Sequence, residues 1–80
     1  MSESGTGPRR VATLWTLGWN GNQVSCVVYR TTAGFELSVE SPEAVVITER
    51  FAMQPRAMAR AHALRDALKR RGWTEAESAT

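Results

Sequence analysis

Few residues in this chain have the types and spacing that chemistry needs. His62 and Asp66 stand four apart, the spacing that puts two side chains on one face of a helix. A relay needs a nucleophile beside its base, and no serine or cysteine falls near that pair in the sequence, so the reading is a surface pair. Cys26 is the single cysteine and lies inside a β-like run, where it reads as a small buried hydrophobe rather than a reactive thiolate. Glu36 and Glu40 alternate onto one face of one strand, but paired carboxylates act only within a cleft. The glycines of "GWNGN" precede a strand rather than a helix, which rules out a phosphate cradle at a helix start. One histidine and one cysteine cannot make a zinc cluster or a disulfide. The expectation is a protein that is not an enzyme and uses no metal or cofactor.

Binding chemistry is better represented. The stretch "PRAMARAHALRDALKRRGW" carries six basic groups and one acidic group between Arg56 and Arg71. Residues 1–48 hold three basic and four acidic groups, whereas residues 49–80 hold seven basic and four acidic. The positive field therefore belongs to the end of the chain. Of the three tryptophans, Trp15 falls at a core position, and Trp73 follows Gly72 where an apolar residue folds back on a helix end. Trp19 falls beside a hairpin tip, where it either packs across the hairpin near Gln23 or offers an exposed ring for stacking.

The elements that must position these groups follow from local signals. Pro55 suits the first position of a helix, and Gly72 suits the residue just past its end, so a helix is expected over about residues 55–71. Ala57, Ala61, Leu64 and Leu68 form its apolar stripe, narrow enough to lie close on a sheet. Four β-like runs precede it: "RVATLWTLG", "QVSCVVYR", "FELSVE" and "AVVITERF". Asn20-Gly21 between the first two is the strongest two-residue hairpin signal, because both residues tolerate positive φ. The fold class is α+β: a four-stranded antiparallel meander followed by one C-terminal helix packed on one face, in two layers. One domain is expected over residues 10–73, with unstructured tails at 1–9 and 74–80.

The element order over roughly residues 10–73 resembles that of Whirly-type and Pur-type single-strand nucleic-acid-binding modules. The resemblance implies a sheet-plus-helix unit that assembles as dimers or paired repeats. It is one of topology, so no functional residue is carried over from it. Integrase arm-binding modules are similar in having a sheet and a helix, but they read DNA with three strands. Here Glu36 and Glu40 on the outer sheet face would repel phosphate.

Register read from the hairpin pairs Leu17 with Val24, Trp15 with Cys26 and Thr13 with Val28 on the helix side. Val45, Ile47 and Phe51 are assigned to that side too. Leu14 then opposes Val27 on the outer face, with Tyr29 and Val46 nearby. About sixty structured residues make a marginal core, which oligomerisation can reinforce. The leading expectation is a small interaction module, either a homodimer or bound to a protein partner. It would self-associate through Leu14, Val27, Tyr29 and Val46. The alternative is a nucleic-acid-binding protein that uses Arg9, Arg10, Trp19, Arg30, Arg56, Arg60, Arg65, Lys69 and Arg70. No apolar run has the length of a membrane span, and a lone cysteine fits a reducing, cytoplasmic setting.

Overall fold

A computed structural model describes residues 8–76. Strands β1 (Arg9–Trp19), β2 (Asn22–Thr31), β3 (Gly34–Glu40) and β4 (Val45–Phe51) form an antiparallel meander. Helix α1 (Gln54–Arg70) follows, and a short strand β5 (Thr74–Glu75) pairs with β1. The spatial order is β4-β3-β2-β1-β5. The expected four strands and one helix are present. The ends differ from expectation: Arg9 already belongs to β1, and β5 adds a strand beyond Trp73. The rest of the expected tails, residues 1–7 and 77–80, lies outside the described residues.

The β1–β2 turn has the conformation its sequence demands. Asn20 and Gly21 have φ of 52° and 81°, so both residues are left-handed, as a type I′ turn requires. From that tip Trp19 opposes Asn22, Leu17 opposes Val24 and Trp15 opposes Cys26. Gly34 in the next turn has φ of 139°, and a Cβ there would come within 2.4 Å of the Phe51 carbonyl oxygen. Glycine is needed at that corner because the end of β4 passes directly over it.

Beyond Trp15 the expected register fails. The pairing jumps from Trp15–Cys26 to Thr13–Val27, leaving Leu14 as the extra residue of a bulge. A second irregularity leaves out Val11, so Val28 faces Ala12 rather than Thr13. A bulge sets two residues against one and reverses the alternation beyond it. Leu14 consequently packs against the core, and the assignment of Leu14 opposite Val27 is corrected. The same happens on β4. Ile47 opposes Val39 and Val45 opposes Glu40, with Val46 left over. Val45 therefore shares the outer side with Glu40, not the helix side to which the alternation assigned it.

The core lies between the sheet and α1. Trp15, Leu17, Cys26, Val28, Leu37, Val39 and Ala61 form its buried cluster, edged by Leu64, Leu68, Phe35, Ile47 and Phe51. Ala57 and Ala61 are the fully buried helix residues, and their small side chains let the helix approach the sheet closely. The Trp15 indole N–H donates to the Ala61 carbonyl at 2.9 Å, pairing the one polar atom of that ring. The helix begins without a side-chain cap and ends with one of the commonest stops. Trp73 N–H donates to the Leu68 carbonyl and Gly72 N–H to that of Lys69, with Gly72 at φ 106°. This is a Schellman motif, and it turns Trp73 back against the core cluster; the expectation placed Trp73 on the helix end.

Candidate nucleic-acid interface

The helix stop and the hairpin tip meet at one end of the molecule. Trp19 leaves β1 just before the turn, and Trp73 comes off the Schellman motif beneath it. Their ring centroids are 6.0 Å apart with planes tilted by 37°. Trp73 is partly buried, while Trp19 remains 48% exposed. Gly72 runs alongside the ring, where a Cβ would touch the Trp19 indole nitrogen at 3.4 Å, an ordinary van der Waals distance, and its φ of 106° is what calls for glycine there. Trp19 thus packs on Trp73, and about half of its surface still faces solvent.

Polar groups of two kinds surround the ring. Exposed Asn20, Asn22 and Gln23 supply amide donors and acceptors on the hairpin side. Together with Trp19, Gly72 and Thr74 they line a shallow concavity of about 500 Å³. Exposed Lys69, Arg70 and Arg71 close the helix on the other side, where they also complement the negative end of its dipole. Lys69 is engaged, donating to Glu75 at 3.0 Å, and Arg65 lies 3.1 Å from the same carboxylate without hydrogen-bond alignment. The Lys69 hydrogen bond, helped by the charges of Lys69 and Arg65, holds the Glu75 carboxyl below its usual pKa. Arg70 and Arg71 make no ion pair among the described residues.

The other basic candidates are placed elsewhere. Arg60 is tied to Glu49 by two hydrogen bonds of 3.0 and 3.2 Å, which raise the pKa of its guanidinium. Arg9 opposes Arg30, and Arg10 opposes Tyr29, at the far end of β1 from Trp19. Arg30 lies over the Phe35 ring at 5.7 Å. Arg56 sits on the first turn of α1, which starts where β4 ends, and so belongs to that far end too. An eleven-residue strand spans about 36 Å, so the nine candidates form two groups rather than one patch. Arg71, which the sequence reading left out of its candidates, joins the tryptophan end. Its position beside Gly72 was the available signal.

The outer sheet face is more polar than alternation suggested. Its rows run Arg10–Tyr29–Glu36–Arg50, Thr13–Val27–Ser38–Thr48 and Thr16–Ser25–Glu40–Val45. Tyr29 donates to Glu40 at 2.7 Å, and this bond, more than burial, raises the phenol's pKa. To reach Glu40 the tyrosine must pass over the Val27–Ser38 pair. Val27 has no exposed surface, so it offers nothing to a partner. Of the four residues expected to form an apolar docking face, Leu14 lies with the core and Val27 is covered. Tyr29 is engaged, and Val46 stands in a bulge on the edge strand.

The other chemical candidates stay apart from any such cluster. His62 and Asp66 are both exposed on α1. Cys26 is buried at mid-strand, and that burial, with the nearby Glu40 charge, pushes its thiol up to about 11. Among the described residues no three histidine, cysteine or acidic side chains gather as a metal site would need, and no helix is long and apolar enough to cross a membrane. No family model, curated protein or solved structure matches the chain.

Proposed function

We propose that this chain is a non-catalytic binding module for single-stranded nucleic acid, centred on Trp19. The supporting observation is a half-exposed indole held on a second indole, beside exposed amides and at the helix end that carries Arg70 and Arg71, which make no ion pair among the described residues. Each part matches one need of a single strand. An aromatic face stacks a base of any identity. Side-chain amides can reach the base edges that a single strand leaves unpaired. Arginines at the helix end neutralise phosphate, a contribution that weakens as salt rises. A duplex offers no splayed base to Trp19 and should bind only through its backbone. The single thiol fits a reducing, cytoplasmic setting for such a module.

The test is fluorescence titration with single-stranded and duplex oligonucleotides over a range of salt. Trp15 is buried, so changes in emission on binding report Trp19 and Trp73. Trp19→Ala should weaken single-strand binding by about 1–3 kcal/mol, the range for losing one stacked base. Arg70→Ala and Arg71→Ala should each flatten the salt dependence by roughly 0.7 in slope. Absence of binding at low salt would remove this reading.

A further inference from the structure

Strand β5 lays one carboxylate over the basic end of α1. Glu75 opposes Leu17 across the β1–β5 pair, so its side chain stands on the helix side of the sheet. Trp19 lies two residues beyond Leu17 on β1 and points to that same side, about 7 Å further along. The Lys69 ammonium donates to Glu75 Oε2 at 3.0 Å, and Arg65 Nε lies 3.1 Å from the same oxygen. One carboxylate oxygen thus faces two cations on the side where the exposed ring stands.

The arginine is poorly served by this arrangement. Arg65 Nε is buried and has no hydrogen-bond partner among the described residues, because the carboxylate oxygen lies out of line with its N–H. A buried donor left unmade favours exchange for an acceptor that reaches it. A phosphate group offers tetrahedrally disposed oxygens, which can meet a guanidinium and an ammonium at once, as a single carboxylate oxygen does not. The Glu75 side chain is about half exposed and has solvent to turn into.

We propose that Arg65 and Lys69 form a phosphate subsite, which Glu75 fills in the free chain and a phosphate group takes over. The proposal rests on the reading of Trp19 as the stacking residue, which makes that phosphate the one neighbouring the stacked base. Glu75 is then a competitor carried by the chain itself. Its side chain swings out as the phosphate enters, while β5 stays paired, since the Ala76 N–H bond to the Thr16 carbonyl does not involve the carboxylate. Exposed ion pairs are weak and screened by salt, so the exchange is readily reversible.

Glu75→Gln keeps the shape of the side chain and removes its charge. Two probes separate the subsite from the stacking residue, with circular dichroism to check folding. Inorganic pyrophosphate has no base to stack, and its binding is followed by the side-chain N–H resonances of Arg65 and Lys69. Oligothymidylate binding is followed by tryptophan fluorescence. Glu75→Gln should bind both probes about fivefold more tightly than the wild type. Adding Arg65→Gln and Lys69→Gln should cancel that gain, whereas an effect of overall charge would survive it. A Glu75→Gln chain that gains nothing with pyrophosphate, or a gain that persists without the two cations, overturns the subsite even if oligothymidylate binds at Trp19. A cancelled gain with pyrophosphate and no oligothymidylate binding upholds the subsite and removes the stacking role of Trp19.

Discussion

At one edge of the sheet β1 carries two irregularities, two arginines at its start and a strand supplied by the end of the same chain. At the other edge β4 carries one bulge, two exposed valines and no buried residue at all. Bulges, charges and covering segments are the means by which sheets avoid joining end to end. β1 uses all three, and it also holds the fully buried Leu17, and Trp15, whose ring bonds the helix. β4 pairs with β3 and reaches the core only through the partly buried Ile47 and Phe51, with Glu49 tied to Arg60 at the rim. The difference shows that, among the described residues, the edge with a covering strand is also the edge with buried residues, while β4 has neither.

The largest test of that contrast compares one leucine with one isoleucine. Leu17 has no exposed surface, so Leu17→Ala should cost about 2–5 kcal/mol in urea unfolding. Ile47 is only partly buried, so Ile47→Ala should cost about 2 kcal/mol or less. Equal losses would mean that β4 is as firmly built in as β1.

Gly34→Ala asks how tightly the corner beneath β4 is closed. The left-handed backbone alone should cost about 1–3 kcal/mol, and the contact with the Phe51 carbonyl adds to it. Gly21→Ala has comparable backbone strain but meets nothing within 4 Å, so it should be the milder of the two. If the order is reversed, the end of β4 moves aside freely.

The smallest expected effect concerns the strap on β1. Glu75 has a lowered pKa in the folded chain, so it binds protons less readily there than when unfolded. Its contribution is complete at neutral pH and is lost as pH falls from the ordinary carboxylate range through the lowered folded value. Amide exchange at Ala76, which donates to the Thr16 carbonyl at 3.0 Å, should lose protection over that acid window. Protection at Cys26 should not change. Glu75→Gln should abolish the pH response and leave β4 unaffected.

Much of this architecture could be read from local chemistry. Pro55, Gly72 and Asn20-Gly21 each mark a backbone state that few other residues allow, and the helix and first hairpin followed from them. The bulges did not follow, because an extra residue leaves no fixed composition behind. Its trace is two large apolar residues in succession, Leu14-Trp15 and Val45-Val46, where strict alternation would have one. Reading through those doublets moved Leu14 to the wrong face, and with it the apolar patch on which the docking surface rested. β5 was missed because two exposed residues, Thr74 and Glu75, have no apolar pattern to display. At the candidate site the residue types were visible, but their division between two ends was not. That division depends on α1 running diagonally back toward the hairpin tip.

The bond from the Trp15 ring to the Ala61 carbonyl has a mechanical consequence. The helix is fully buried only at two alanines, with Leu64 and Leu68 at the margin of the core, and small side chains by themselves resist rolling or sliding weakly. The indole nitrogen works as an indexing pin, catching one carbonyl near the middle of the rod. Rolling by a residue would aim that carbonyl elsewhere and leave a buried donor without an acceptor. The angular setting of the helix is thereby locked, and with it the direction in which Arg70 and Arg71 leave the surface.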